Sequence, residues 1–232
     1  MTPGRARKGA ELSAPVEDYL KAIYDLERSG GPAETNAIAQ LLMVTPASVS
    51  GMMRRLAEQG LIDHEPYRGV RLTPEGRRTA LLTLRRHRVI EAYLTTALGY
   101  SWDEVHDEAE RLEHAASDEL INRMAAAIGE PATDPHGAPI PTRDGTLREP
   151  ALVPLSSLAG GEKGRVERVG DRSSDRLRYL AGLGIVPGAS VTVVQRDPFD
   201  GPIVVLVDED PRTIGAGLAA HVLVERQTGE SH

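Results

Sequence analysis

The sequence of 232 residues contains no cysteine. This absence excludes disulfide bonds, thiolate zinc sites and iron–sulfur clusters. Any metal ion that this chain binds must therefore be held by oxygen and imidazole ligands.

Long hydrophobic segments are also missing. No apolar run approaches the ~18–20 residues that a membrane-spanning helix needs, and the opening Met-Thr-Pro-Gly-Arg-Ala-Arg-Lys is not followed by the apolar core of a signal peptide. We therefore expect no membrane association and a cytoplasmic location. The hydrophobic fraction of 40 % and the charged fraction of 26 % are typical of a soluble globular protein.

The net charge of −7 is unevenly distributed. Residues 1–90 carry 14 Lys and Arg against 10 Asp and Glu, whereas the remainder carries 13 against 24. A basic front end followed by an acidic body is compatible with an N-terminal third that meets a polyanion such as DNA.

The segment around residues 106–114 is rich in metal-competent side chains. If it is helical, steps of three and four residues place four of them on one face, namely His106, Glu110, Glu113 and His114. His87 and Glu91 repeat the four-residue step on the helix predicted before it. Two imidazoles with carboxylates, packed helix to helix, indicate a divalent-metal site. The alternative is a solvated polar face, because Glu and His are common on exposed helices.

The first third of the chain has the pattern of a winged helix-turn-helix. Amphipathic helices are predicted over 15–27 and 35–42, the second capped by Thr35. Thr45-Pro46 then opens a third helix with a hydroxyl cap and a proline at its first position. Residues 61–73 follow as two short strands around a Tyr-Arg-Gly turn. This arrangement places one helix in a major groove; the alternative is a helical pair used only for packing. The predicted DNA surface comprises Thr45, Pro46, Ala47, Ser48, Ser50, Gly51, Arg54, Arg55, Arg68 and Arg71.

The rest of the chain divides into a helical part and a strand-rich part. A long helix is predicted from Pro74 to about Leu98, with Arg77, Arg78, Arg85, Arg86 and Arg88 on or near its exposed side, and a second helix from Trp102 to about Ile128. A proline-rich, linker-like connection follows. Four strands are then predicted at 163–169, 190–195, 203–207 and 221–225, with one helix at 175–183. Glycine-rich turns between compact strands indicate a small barrel.

Together these elements resemble the diphtheria toxin repressor family of metal-dependent transcription factors. The resemblance covers the chain from Pro15 to Glu225 and is most specific at Val105-His106-Asp107-Glu108-Ala109-Glu110, at Glu113-His114 and at the run from Asp134 to Pro141. The last part looks like the FeoA-type SH3-like barrel of longer members. The implied domains are a winged helix-turn-helix (12–74), a helical metal-binding and dimerisation domain (75–141), a linker (142–154) and the SH3-like barrel (155–228).

The resemblance also implies which residues bind metal. Asp18, Glu110, Glu113 and His114 would form the activating site. His87, Glu91 and His106 would form an ancillary site, with His87 bordering both. In the barrel, Glu167 and Asp171 lie nearest the positions from which family members lend ligands. The bound metal would lock a homodimer that places two recognition helices on a palindromic operator.

The resemblance also bears on which metal is bound. Iron-responsive members carry methionine and cysteine at the positions held here by Asp18 and Glu110. Hard oxygen ligands at both positions suit Mn²⁺, so the chain resembles the manganese-responsive branch. Lys21 stands where members with a two-metal manganese site carry an acid, and the number of metals in this site stays open.

Two other functions remain open at this point. The first is an Fe²⁺-responsive repressor of the same family, because His and carboxylate sites bind both metals. The second is a metallohydrolase, which would use the same ligands to activate water but would leave the helix-turn-helix unexplained. A Mn²⁺-activated repressor of metal-uptake genes, not an enzyme, is the leading interpretation.

Overall fold

The computed structural model describes residues 12–28, 30–65, 69–170 and 173–227. The chain divides into two compact units, of which the first comprises Met1–Arg85 with Pro141–Thr146 and the second Arg86–Ile140 with Leu147–His232. Arg68 and Asp171, both predicted site residues, lie outside the described residues.

The first unit is built on three helices and a two-stranded hairpin. Its elements are α1 (Ala14–Arg28), α2 (Thr35–Leu42), α3 (Pro46–Glu58), β1 (Ile62–Glu65) and β2 (Gly69–Leu72). Thr45 caps α3 as predicted, since its side chain accepts a hydrogen bond from Ser48 N and Pro46 begins the helix. The prediction that Thr35 caps α2 is wrong, because Glu34 occupies the cap position and Thr35 is the first helical residue.

The hairpin is held close to the helices by backbone contacts. Ala33 and Val70 exchange two backbone hydrogen bonds of 2.9 and 3.0 Å. Gly76, in the first turn of the following helix α4 (Pro74–Leu98), lies against the carbonyl oxygen of Leu61. A Cβ at this glycine would stand 1.9 Å from that oxygen, so only glycine permits the approach.

The second unit begins within α4 and continues through α5 (Val105–Leu112) and α6 (Asp118–Ala127). The prediction of one helix from Trp102 to Ile128 is wrong, because a turn at 113–115 separates α5 from α6. Ser117 begins the new helix by accepting a hydrogen bond from Leu120 N, and Asp118 and Glu119 follow in its first turn. A hydroxyl cap followed by two acids is a strong helix start, and it outweighs the continuous apolar periodicity.

The exposed arginine face predicted on α4 is partly wrong. Arg85 and Arg88 are buried, with relative exposures of 7 % and 5 %. Each donates a hydrogen bond to a backbone carbonyl of the proline-rich segment, Arg85 to Pro141 at 2.9 Å and Arg88 to Pro139 at 2.5 Å. The segment is therefore packed against α4, not free of it.

The remainder of the second unit is a six-stranded antiparallel sheet in the order β3-β8-β4-β5-β6-β7. The strands and short helices are β3 (Val153–Pro154), β4 (Lys163–Val169), α7 (Ser174–Gly182), β5 (Ser190–Arg196), β6 (Ile203–Val207), β7 (Asp210–Ile214), α8 (Ala216–Ala219) and β8 (Val222–Gln227), with a 3₁₀ turn at Leu155–Ser157. The four predicted strands are present, and β3 and β7 are additional. β3 has only two residues, and β7 has a single buried position, Ile214, at its end. Neither strand therefore carries the alternating pattern that predicts a strand.

The core of this sheet is aliphatic. Alternate residues of β6, namely Ile203, Val205 and Val207, point inward and pack with α7 through Leu177 and Leu180. Trp102, from the connection between α4 and α5, packs against the same core. Among the described residues, no helix is long and apolar enough to cross a membrane.

The close approach at Gly76 predicts an unusual response to a helix-favouring substitution. Gly→Ala in a helix interior normally adds up to ~1 kcal/mol of stability. Gly76→Ala should instead lower the free energy of unfolding by about 1–3 kcal/mol, because the new methyl group meets the backbone of Leu61. Gly51→Ala in α3 is the matched control, since a Cβ there meets open space, and it should be stabilising. Urea unfolding of both variants checks this, and equal effects would contradict the contact.

Candidate metal centre and nucleic-acid interface

His87 lies at the centre of the predicted ligands. Its Nδ1 is 2.6 Å from Glu113 Oε2 and 3.6 Å from Glu110 Oε1. Its Nε2 is 3.0 Å from Glu91 Oε1 and 3.1 Å from His106 Nδ1. The imidazole thus touches members of both metal sites that the resemblance implies.

Helical spacing brings these groups together. His87 and Glu91 stand one turn apart on α4, and His106 and Glu110 stand one turn apart on α5. Glu113 ends α5 and is fully buried, whereas Glu110 remains partly exposed. Donor atoms of His87, His106 and Glu110 all lie within 4.8 Å of one another, a spread that a single cation can bridge.

A second group of donors lies deeper in the same unit. Glu91, Asp134 and His136 are all buried, and one donor atom of each lies within 4.8 Å of the other two. Glu91 contributes Oε1 to the group around His87 and turns Oε2 toward His136, whose Nδ1 is 3.8 Å away. Glu91 therefore joins the two groups.

The turn at residues 134–138 holds this second group in place. Asp134 Oδ1 accepts the backbone N–H groups of His136 and Ala138, both at 2.9 Å. Its other oxygen, Oδ2, and Glu91 Oε2 are buried and accept no hydrogen bond from the described residues. Buried carboxylate oxygens without donors are costly unless a cation satisfies them, so the donor set fits a divalent metal.

The orientation of His136 also suits a ligand. Its Nε2 lies 2.7 Å from the backbone oxygen of Trp102. Because a carbonyl oxygen only accepts, Nε2 carries the proton, and in the neutral ring Nδ1 then presents its lone pair toward Glu91. A backbone carbonyl that fixes the second nitrogen is the usual support of a metal-binding histidine.

Ionisation in this group reflects crowded negative charge. Burial and the negative charge of Glu91 raise the pKa of Asp134 to about 6. Burial also acts to raise the pKa of Glu91, but the charge of His87 and a hydrogen bond from His106 outweigh it, so this pKa lies well below its ordinary value. Glu91 therefore stays charged over a wide pH range, whereas Asp134 carries its charge mainly above pH 6, where a cation would stabilise it.

Sequence reasoning did not assign Asp134 and His136 to a site, because the prolines between Asp134 and Pro141 favour a connection. The signal that could have found them is a pair of ligand-type residues two positions apart within a Pro/Gly turn. Their partner Glu91 lies 43 positions earlier in the chain, so no local spacing connects them.

Three other predicted ligands, Asp18, His114 and Glu167, lie outside the two donor groups described above. Asp18 lies on α1 in the first unit, and its association with Glu113 and His114 stays a prediction. His114 Nε2 is 3.3 Å from Glu113 Oε1. The Glu167 carboxylate lies 3.6 Å from Arg165 Nε and is absent from the donor groups found among the described residues.

The described residues of the predicted DNA surface are all exposed in the first unit. α3 buries Val49, Met53 and Leu56 and leaves the predicted contact residues outside, and all of those that the structure describes are exposed: Thr45, Pro46, Ala47, Ser48, Ser50, Gly51, Arg54, Arg55 and Arg71. The short side chains lie at the start of the helix and the arginines one turn later. Small residues permit close approach to base edges, and arginines supply phosphate contacts.

Family models match nearly the whole chain. Residues 11–70 match the iron dependent repressor N-terminal DNA binding domain, residues 73–142 its metal binding and dimerisation domain, and residues 153–226 the FeoA domain. The predicted fold class is thereby confirmed: mainly α, with a winged helix-turn-helix, a helical metal-binding and dimerisation domain, and an SH3-like FeoA-type β domain.

Individual relatives are similar to this chain over nearly its whole length. The chain is 32 % identical over 229 residues to the iron-dependent repressor IdeR of Mycobacterium leprae, with 93 % of this chain and 99 % of the relative covered. It is 31 % identical to the diphtheria toxin repressor of Corynebacterium diphtheriae, with 88 % and 97 % covered.

A solved structure described as a manganese-dependent transcriptional repressor in complex with manganese is 41 % identical and superimposes with a TM-score of 0.86, covering 91 % of this chain and all of the other. Domain content, identity and fold thus lead to one conclusion. The chain belongs to the iron-dependent repressor family of metal-dependent transcriptional repressors, to which the diphtheria toxin repressor also belongs.

Proposed function

We propose that this protein is a Mn²⁺-activated repressor that binds a palindromic operator as a homodimer and controls metal-uptake genes. The observation that carries the proposal is the pair of donor groups joined by Glu91, one fully buried and one partly exposed, which are composed only of carboxylate and imidazole atoms.

The chemistry of the donors favours manganese. Hard oxygen ligands with imidazole suit Mn²⁺, and the chain has no sulfur ligand of the cysteine type. Asp18 and Glu110 stay our predicted determinants of this preference. The likeness to the manganese-dependent repressor supports it. Fe²⁺ is the alternative, because the same ligands accept it and the relative from Mycobacterium leprae is described as an iron-dependent repressor.

The metal would supply the positive charge that the buried carboxylates lack. The metal would then hold three segments in one arrangement: α4 with His87 and Glu91, the end of α5 with Glu113, and the turn after α6 with Asp134. Burial raises the pKa of Asp134, and without the cation the repulsion between the negative charges of Glu91 and Asp134 raises it further. Metal binding therefore selects one packing of these three segments.

An apolar groove on the helical part of the second unit is our candidate dimer contact. Ile90, Ala115, Ala116 and Met124 line it, together with Leu112 and Leu120, which are 38 % and 44 % exposed. Exposed leucines over an apolar groove are typical of a surface covered by a partner. The dimerisation-domain match over residues 73–142 supports this assignment.

The hydrolase interpretation receives no such support. Family membership explains both the helix-turn-helix and the metal ligands, whereas a hydrolase would leave the former without a role. Metal-dependent turnover in the absence of DNA binding would reverse this preference.

The activating site can be tested through Glu113 and His114. We expect Glu113→Gln with His114→Ala to abolish Mn²⁺-dependent DNA binding while the fold stays intact, because both side chains contact other ligands and not the aliphatic core. Glu119→Gln on α6, an acid whose side chain is 71 % exposed, is the control. The measurement is a fluorescence anisotropy titration of a duplex that the wild-type protein selects from a random-sequence pool in MnCl₂. Mn²⁺-dependent binding by the double variant would refute the site.

The charge of Asp134 in the second donor group is expected to lower stability without metal and to favour metal binding. The ordinary pKa of Asp134 is 3.8 and its folded value is about 6, so between these values only the unfolded chain loses the proton. Stability therefore falls as pH rises through this window. Asp134→Asn removes the penalty and keeps an oxygen acceptor for the two backbone N–H groups.

Metal-free Asp134→Asn should accordingly be more stable than wild type by about 1–3 kcal/mol at pH 7.5 and by less at pH 5. In saturating MnCl₂ the order should reverse, because wild type gains the binding free energy of the group formed by Glu91, Asp134 and His136, whereas the variant keeps only that of the group around His87. Urea unfolding at the two pH values, with and without MnCl₂, measures both effects. A difference that is independent of pH and of Mn²⁺ would rule out this role of Asp134.

The DNA surface predicts a change in salt dependence. Arg→Ala at Arg54, Arg55 and Arg71, made singly, should weaken binding and reduce the slope of log affinity against log salt by about one unit wherever the arginine neutralises a phosphate. Arg123→Ala on α6 removes an exposed arginine outside this surface and should leave the slope unchanged. Parallel salt titrations for wild type and the three variants would contradict the surface.

A further inference from the structure

The segment from Asp134 to Thr146 carries more structure than a linker requires. We propose that it is a coupling strap: when a metal orders the turn at residues 134–138, residues 142–146 become ordered as well. Arg85 is the positioning residue that couples the two turns. This inference rests on the proposed metal-binding function of Asp134 and His136.

The strap consists of two hydrogen-bonded turns. The first contains the two buried ligands, and it is closed by Asp134 N to Ala138 O at 3.0 Å and by Ile140 N to Ala132 O at 2.8 Å. The second is closed by Thr142 N to Thr146 O at 2.9 Å, and Thr142 Oγ1 accepts the N–H of Thr146 at 3.0 Å.

The connection between the turns is short and stiff. It is Pro139-Ile140-Pro141, and proline fixes φ near −65°. Rotation about φ at Pro139 and Pro141 therefore cannot absorb a displacement of the first turn. The boundary between the two compact units falls between Ile140 and Pro141.

Three arginines of α4 hold the strap along its length. Arg88, Arg85 and Arg78 stand at steps of three and seven residues, which places them on one helix face. They donate to successive carbonyls: Arg88 to Pro139 at 2.5 Å, Arg85 to Pro141 at 2.9 Å and Arg78 to Asp144 at 3.2 Å. Each contact lies within one unit.

Two of these contacts, those of Arg85 and Arg88, involve buried guanidinium groups. Arg85 and Arg88 are almost completely buried, and a buried guanidinium is tolerated only when partners satisfy it. Arg88 also lies 3.5 Å from Asp134 Oδ2, so it belongs to the metal-binding turn itself. Arg85 donates to Pro141, the last residue of the Pro-Ile-Pro connection, and this hydrogen bond involves none of the metal-binding residues. A substitution of Arg85 can therefore separate metal binding from its effect on residues 142–146.

The ligand-bearing turn is fixed from its other side as well. Val169 N on β4 donates to His136 O at 2.9 Å, and a Cβ at Gly137 would lie 1.8 Å from the carbonyl oxygen of Glu167. With one side held by the sheet and the other by α4, the turn has little room to respond to a metal except along the strap.

Hydrogen exchange of the full-length protein, without DNA and with or without MnCl₂, tests the proposal. In wild type, Mn²⁺ should slow exchange of the amides in 134–140 and in 142–146 by at least about fivefold, the lower end of typical coupling. In Arg85→Met, which keeps the apolar stem and removes the donors, Mn²⁺ should still slow 134–140 but not 142–146. Arg85→Lys should restore part of the second effect, and Arg123→Ala should behave as wild type.

The outcomes separate the inference from the function on which it rests. Equal protection of 142–146 in wild type and Arg85→Met would overturn the strap while leaving the metal site intact. Loss of protection at 134–140 in Arg85→Met would show that Arg85 serves the site or the fold and does not transmit. No effect of Mn²⁺ on 134–140 in wild type would overturn the metal assignment of Asp134 and His136, and the strap with it.

A second variant covers the case in which Arg85→Met does not fold. Arg78 is half exposed, with 52 % of its side-chain surface accessible, so Arg78→Ala should keep the fold. It should reduce Mn²⁺-dependent protection of 142–146 at least twofold while protection of 134–140 is unchanged. Unchanged protection of both turns would count against the proposal.

Discussion

The arrangement of the second unit depends on negative charge that is buried without enough positive charge beside it. Glu91, Glu113 and Asp134 are all buried within reach of three imidazoles. Two of their oxygens accept no hydrogen bond from the described residues, and one carboxyl responds with a pKa of about 6. Arg88, 3.5 Å from Asp134 Oδ2, and the imidazoles compensate this charge in part. An incompletely compensated buried carboxylate destabilises a fold, and a bound cation would supply the missing positive charge.

This constraint explains why the ligands come from separate segments. α4 supplies His87 and Glu91 one turn apart, α5 supplies His106 and Glu110, and the turn after α6 supplies Asp134 and His136. Neither donor group lies on one segment alone, since one combines α4 with α5 and the other combines α4 with the turn after α6. A cation that binds two segments at once also stabilises their packing.

Much of the fold could be predicted from the sequence, because periodicity and caps are local signals. The helix-turn-helix, the α4 helix and the four stronger strands follow from spacing, from Thr45-Pro46 and from Gly/Pro turns. The pairing of His87 with Glu91 follows from helical geometry in the same way. The break between α5 and α6 was missed because the apolar pattern runs through it, and the signal that ends the helix is only the cap at Ser117.

The parts that could not be predicted depend on contacts between distant positions. Asp134 and His136 join Glu91 only once the chain has folded, and the burial of Arg85 and Arg88 becomes visible only when the proline-rich segment lies on α4. Arginine-rich helices are usually solvated, so local patterns place these side chains outside. The resemblance draws attention to the run from Asp134 to Pro141 without revealing its role.

Anomalous X-ray scattering at the manganese absorption edge, from crystals grown in MnCl₂, tests the central claim most directly. The account predicts one peak bounded by Glu91, Asp134 and His136 and another beside His87, Glu110 and Glu113. Strong peaks confined to exposed carboxylates, with none in contact with Glu91 or His87, would contradict it.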